Sequence, residues 1–264
     1  MHLPPAMKVV YDQMFLEHRG DGHHPESPAR LDAITSTLLK SGLEDFISPP
    51  PATLDQILRA HGTNYVSYLK SVKGGIDLDT YVNENSFEIA VLAAGGALEA
   101  VRLARDGEDV LALLRPPGHH AGRGFGGGFC LLNNAAIAAC GELDQKKRVV
   151  ILDIDGHHGN GTQDIFYGEK NVLYMSAHHW GIFPGSGRYD ESGTGEAEGT
   201  NVNVPLPDGS GDATYKMTIE RVWLPILEQF KPDTVLLCIG MDCHYMDPLT
   251  GLSLSSPAFM DILQ

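Results

Sequence analysis

The chain has 264 residues, 42% of them apolar, and 34 acidic against 19 basic side chains give a formal charge of −15. That composition suits a globular protein with one sizeable core, and the negative field argues against direct nucleic-acid binding while favouring basic partners. No apolar run is long enough to span a bilayer, the start lacks a signal-peptide pattern, and Cys130, Cys140, Cys238 and Cys243 show no CxxC spacing; the expectation is a protein without membrane contact in a reducing cytoplasm.

Ser27 followed by Pro28 makes a helix start, and Leu31, Ile34, Leu38 and Leu39 recur behind it at helical spacing. Thr53 opens a second, short helix that carries Ile57 and Leu58 and stops at Gly62. A third helix is predicted over 86–104, with a loop at 74–80 before it. From Asp109 the texture changes to four short apolar runs, at 110–114, 149–154, 172–175 and 234–239. Each is too short for a helix and is near-continuously apolar, as strands buried on both faces of a parallel sheet must be. Helices are predicted between them at 134–141, 162–167 and 213–230, the last kinked or split by Pro225. Strands alternating with helices predict an α/β fold with a mostly parallel sheet. No repeat or Pro/Ser linker marks a second domain, so one domain over 1–264 is expected.

Each apolar run leads into polar chemistry: Pro116-Pro-Gly-His-His120, Asp153-Ile-Asp-Gly-His-His158, Ser176-Ala-His-His179 and Gly240-Met-Asp-Cys-His244. Open α/β sheets collect ligands at the carboxyl ends of their strands, so one site built from four loops is expected. The segment 180–200, rich in Gly and acidic residues, reads as a surface loop at its rim. Asp155 and His157 alternate on an extended segment and leave the same face, with Asp242 at another strand end as a third ligand. One imidazole and two carboxylates with open positions suit a catalytic zinc better than a closed structural one. The tandem His119-His120, in a stiff Pro-Pro-Gly loop, titrates in the range a metal-activated water needs, with Asp153 and Asn160 as candidate partners for the rings. Gly122-x-Gly124-x-x-Gly127 formally matches a dinucleotide fingerprint, but a His-His loop precedes it and Phe129-Cys-Leu follows, so nucleotide binding is rejected. The glycines are expected instead to let the backbone approach a ligand, with Phe125 or Phe129 as a wall.

Six segments in order resemble the histone deacetylase and acetylpolyamine amidohydrolase family, in its class II-like bacterial or archaeal branch. They are His23-His-Pro-Glu-Ser-Pro-Ala-Arg-Leu31, Arg115-Pro-Pro-Gly-His-His-Ala121, Gly128-Phe-Cys130 with Asn133-Asn134, Asp153-Ile-Asp-Gly-His-His-Gly-Asn-Gly161, Phe183-Pro-Gly185 and Asp242-Cys-His-Tyr-Met-Asp-Pro-Leu249. The resemblance implies an arginase-like three-layer fold and one Zn²⁺ held by Asp155, His157 and Asp242. It implies that His120 is the general base and His119 a second acid or electrostatic group. Phe129 and Phe183, with Gly128, would line a narrow tunnel for an acyl-lysine chain. Asp153, Asp155, His157, Ser176 and Ala177 match an inner K⁺ site, and Arg30 matches an arginine near an acetate exit channel. Asn160 gives His120 an amide partner in place of a carboxylate. Leu249 stands where polyamine-specific relatives can carry a glutamate, which argues against a dedicated polyamine enzyme. The implied partners are acylated lysine in a peptide or protein, or a small acylated amine, with a homo-oligomer left open.

The family's oxyanion tyrosine, in a Gly-Gly-Tyr turn after the third ligand, has no match before Gln264, and Tyr245 is too close to Asp242 to be its equivalent. A C-terminally incomplete domain is therefore expected, lacking its last strands and helices, with acetyl-lysine hydrolysis slowed about 10²–10³-fold by the lost donor. Two rival readings stand beside it. One is a non-catalytic acyl-lysine binder. The other is an arginase-type ureohydrolase with two Mn²⁺, which Asn160 disfavours because it is not a carboxylate.

Overall fold

A computed structural model describes residues 7–20 and 22–263; the reading of the first six residues lies outside them. The chain divides into two compact units, Met1–Gly141 and Glu142–Gln264.

The first unit opens with β1 (Lys8–Val10), a 3₁₀ turn that Asp12 caps by accepting the Met14 N–H at 2.8 Å, and α1 (Pro28–Lys40). Pro28 stands in the first turn of α1, where a missing N–H costs nothing. After β2 (Phe46–Ile47), Thr53 and Gln56 form a reciprocal capping box on α2 (Leu54–Ala60). Gly62, expected only as a stop, is also the N-cap of α3 (Thr63–Ser71), which the sequence pattern did not predict. The expected loop at 74–80 is closed by two short antiparallel strands, β3 (Gly74–Gly75) and β4 (Tyr81–Val82). Then come α4 (Ser86–Arg105) and β5 (Val110–Ala112). The sheet order is β2-β1-β5, all parallel, with Val9 opposite both Phe46 and Leu111. The first apolar run thus pairs with the N-terminal strand instead of with the later runs. Val9, Phe15, Leu31, Ile89, Leu92 and Leu113 belong to this unit's core.

Helix α5 (Asn134–Asp144) leads into the second unit, where β6 (Val149–Asp153), α6 (Asn160–Phe166), β7 (Val172–His179) and β8 (Asn201–Leu206) follow. Helix α7 (Asp212–Thr218) runs through a π-helical turn, Ile219–Trp223, into α8 (Leu224–Phe230). Pro225 falls in the first turn of α8, and the wider turn ahead of it accommodates the ring without ending the helix. Strand β9 (Thr234–Cys238) and α9 (Ser256–Ile262) complete the described elements. The order β8-β7-β6-β9 is parallel throughout. Strands β6 and β7 are central and almost wholly apolar until their last residues. Register pairs Asp153 with both Ser176 and Cys238, so β6 and β7 turn polar at one level and β9 ends beside them. Val150, Leu173, Met175, Tyr215, Trp223 and Phe259 form much of the core beneath.

Candidate metal centre

Beyond Asp153 the chain leaves β6 in an extended turn, and the Asp155 N–H donates back to Asp153 Oδ1 at 3.2 Å. The His157 N–H donates to Asp155 Oδ1 at 2.8 Å, which folds the two side chains toward each other. From the end of β9, Asp242 completes the group: its Oδ1 accepts the Gly156 N–H at 2.9 Å and its Oδ2 lies 2.6 Å from His157 Nδ1. One potential ligand atom from each of Asp155, His157 and Asp242 lies within 4.8 Å of the others. The three side chains are 20%, 16% and 11% exposed, so they are mostly desolvated yet still open on one side.

Electrostatics define what this group lacks. Burial disfavours charge on His157, but bonds to and charge on Asp155 and Asp242 outweigh it and lift the ring to about 10. Asp242, desolvated and facing the charge of Asp155, is pushed up to about 6 against the pull of His157. Two carboxylates with one imidazolium leave a net charge of about −1, whereas a divalent cation in place of the ring proton balances it. The donor set and its charge fit one such ion.

Residues outside the predicted set hold this geometry. A Cβ at position 240 would stand 1.9 Å from Asp155 Oδ2, so only glycine admits that carboxylate. Thr250 Oγ1 donates to the Asp242 carbonyl at 2.7 Å, and the Cys243 thiol to the Ile154 carbonyl at 3.3 Å. The fully buried Tyr174 hydroxyl donates to Asp153 Oδ2 at 3.0 Å. Tyr174 sits in an apolar run, where its hydroxyl was the one available signal that a polar partner lies opposite.

The other predicted residues of this unit fall as follows. Ser176 is buried with Oγ 2.9 Å from His178 Nδ1, and the Ala177 carbonyl accepts the Tyr215 hydroxyl at 3.2 Å. Asn160 is the first residue of α6, its N–H on the His158 carbonyl at 2.8 Å. Phe183 is half exposed and meets the His157 ring edge-on, with centroids 6.3 Å apart. Leu249 is exposed, with its N–H on Asp247 Oδ1 at 2.8 Å.

In the first unit, His119 and His120 lie ring to ring, centroids 3.9 Å apart, with His120 buried. Their loop is tied down by Asn133 Nδ2 on the Ala121 carbonyl and Asn134 Nδ2 on the Pro116 carbonyl, each at 3.0 Å. His61, missed in the sequence, bridges the Gly122 carbonyl through Nδ1 at 2.8 Å and the Asn133 N–H through Nε2 at 2.9 Å. A ring that donates through one nitrogen and accepts through the other is neutral, and burial together with the charge of Arg123 pushes His61 down to about 4. Gly127, Gly128 and Phe129 have φ of 153°, 52° and 71°, and the Phe129 N–H donates to Thr80 Oγ1 at 2.9 Å. Phe129 also meets the His24 ring edge-on at 5.0 Å. Arg30 lies 3.6 Å from Glu26, whose stronger partner is the wholly buried Arg115.

Comparison with known proteins places this geometry in company. The histone deacetylase domain model matches residues 24–264. A probable deacetylase of Archaeoglobus fulgidus is 40% identical over 267 residues, covering 97% of this chain and 74% of the relative. A histone deacetylase-like amidohydrolase of Pseudomonas aeruginosa is 38% identical over 249 residues, covering 89% and 65%. The crystal structure of the HDA15 HD domain superposes with a TM-score of 0.91 at 34% identity, covering 97% of this chain and 78% of that one.

Proposed function

Because the chain belongs to the histone deacetylase family, we propose that it is a zinc-dependent amidohydrolase that removes acyl groups, acetyl above all, from acylated lysine or a related amine. The observation that carries this reading is the convergence of Asp155, His157 and Asp242, with His157 Nδ1 2.6 Å from Asp242 Oδ2. Among the described residues this is the one group of three such ligands, which supports one ion per chain over the metal pair of a ureohydrolase. A Zn²⁺ bound there would supply Lewis acidity to an amide carbonyl and to water.

The remaining roles belong to the chain's own groups. His120 takes a proton from the attacking water and His119 assists as acid or electrostatic partner, roles that rest on the family resemblance. Asn160 and Asp153 set the rings' tautomers. Phe129 and Phe183, with Gly128 and Leu249, bury the methylenes of the acylated amine. Asp153, Asp155, His157, Ser176 and Ala177 hold a K⁺ that stiffens the strand ends, and Arg30 serves an acetate path. On this reading 1–264 is a single catalytic domain in a reducing, cytoplasmic setting. No helix among the described residues is long and apolar enough to cross a membrane.

The test is acetyl-lysine peptide hydrolysis alongside hydroxamate binding by the zinc-loaded chain. A chelator should abolish both and zinc restore both. His120→Ala should cost about 10²–10⁴ in turnover, more than His119→Ala. Small and equal losses from the two substitutions would refute the assignment.

A further inference from the structure

Between β7 and β8 the chain makes the excursion 180–200 that carries Phe183. Four side chains, His158, His178, Asn201 and Asn203, are 1–6% exposed and hold it from below. His158 Nε2 lies 3.1 Å from Gln163 Oε1, an oxygen that also accepts Asn201 Nδ2 at 2.9 Å and Asn203 Nδ2 at 2.8 Å. A carbonyl oxygen only accepts, so His158 carries a proton on Nε2; in the neutral ring its Nδ1 accepts from Ser186 Oγ at 2.8 Å. His178 repeats the pattern, with Nε2 donating to the Gly187 carbonyl at 3.0 Å and Nδ1 facing Ser176 Oγ.

The loop's inward groups are tied one after another. Glu191 Oε2 accepts Gln163 Nε2 at 2.6 Å and the Gly187 N–H at 3.2 Å. Asn203 Nδ2 reaches the Arg188 carbonyl at 3.3 Å, and Asn201 Nδ2 the Glu191 carbonyl at 2.5 Å. Gly187 has φ +89°, and a Cβ there would stand 2.4 Å from His178 Nε2. These ties cover 186–191. Immediately before them comes the turn closed by the Gly185 N–H on the Ile182 carbonyl at 2.9 Å, and Phe183 lies inside that turn. Its ring is half exposed, so core packing alone does not fix it; the clamp begins three residues later.

We infer that His158, acting through Ser186, is a positioning residue that fixes the Phe183 ring beside His157 and thereby sets how tightly an apolar acyl-amine chain is held. The inference rests on the proposed role of Phe183 as a wall for substrate. It assigns a task to the second histidine of the Asp-Gly-His-His segment and makes the buried network a determinant of substrate affinity as well as of the fold.

The test uses the zinc-loaded chain with two readouts. One is the dissociation constant of a hydroxamate with an apolar linker; the other is the ¹⁹F resonance of 4-fluorophenylalanine placed at position 183. Phe183→Ala should weaken the hydroxamate about tenfold or more. Ser186→Ala, which removes one hydrogen bond at a partly buried site, should weaken it about 3- to 10-fold and shift or broaden the ¹⁹F line at unchanged zinc content. Ser186→Thr, which keeps the hydroxyl, should restore both. If Phe183→Ala weakens binding while Ser186→Ala leaves either readout unmoved, or if Ser186→Thr fails to rescue, the positioning role is overturned and the wall stands. If Phe183→Ala has no effect, the wall itself is wrong and the inference falls with it.

Discussion

Arg115 in the first unit and the Asp155–His157–Asp242 group in the second are both withdrawn from water, but Arg115 meets the carboxylate of Glu26 directly, whereas in the other group two carboxylates share one imidazole. Its Nε and Nη2 donate to the Glu26 carboxylate, and Nη1 and Nη2 donate to the carbonyls of Phe15 and His18 at 2.5 and 2.6 Å. Burial alone would raise the pKa of Glu26, yet the bonds and charge of Arg115, with help from Tyr81 and Arg30, hold it below the usual carboxylate range. In the second unit two carboxylates face one imidazole, and Asp242 is pushed up to about 6. A closed pair stabilises a fold, whereas an unbalanced one is stabilised by what it binds.

Substituting one partner of each group probes that contrast. Arg115→Met leaves Glu26 buried without its guanidinium and should cost about 3–5 kcal/mol of unfolding free energy in urea melts. The same substitution should leave zinc affinity unchanged in the folded fraction. Zinc loss in step with stability would mean that the two groups are one system. Adding Glu26→Gln to Arg115→Met should recover part of the loss.

For any one group acid should act on a somewhat smaller scale, and through the first unit. Burial, with Arg115's charge reinforcing it against the pull of Glu26, lowers His18 to about 4; His61 is lowered to about 4 as well. The unfolded chain binds protons near 6.5 that the folded chain refuses, so stability is full above that value and falls between about pH 6.5 and 4. Each ring accounts for up to about 3 kcal/mol. Glu26, with its depressed pKa, loses its contribution lower still. In the metal-free protein Asp242 slopes the other way, its stabilising proton being lost as pH rises through about 6. Denaturant melts at several pH values should therefore flatten in His61→Asn and steepen between pH 4 and 6 in Asp242→Asn.

The smallest effect concerns the support of the metal group. Thr250→Val removes the bond to the Asp242 carbonyl and should cost about 1 kcal/mol, with a zinc dissociation constant raised a few-fold. No change in zinc affinity would show that Asp242 is held by Gly156 and His157 alone.

The second unit's chemistry was more legible in the sequence than the first unit's frame. Asp155 and His157 follow a continuous apolar strand and alternate, a pattern that survives without knowledge of neighbours. Strand β8 lacks a strand signature because two of its three buried residues are Asn201 and Asn203, and Pro205 breaks its apolar run, as suits an edge strand. Helix α3 escaped because Tyr65, Val66 and Leu69 are interleaved with Asn64, Ser67 and Lys70, and Gly62 masked its start. Arg115 stands in the sequence as part of a motif, but its complete burial depends on Glu26, 89 residues away, and no local pattern encodes such a pairing.

Titration of the metal-free chain with Zn²⁺, wild type beside Asp242→Asn, followed by calorimetry and denaturant melts, bears most directly on the contrast between closed and open charge. One ion per chain is expected, with affinity lowered at least about 100-fold in the variant and a correspondingly smaller gain in stability on zinc addition. Two ions per chain, equal affinities, or equal stabilisation of the two chains by zinc would contradict a group built to be completed by a cation.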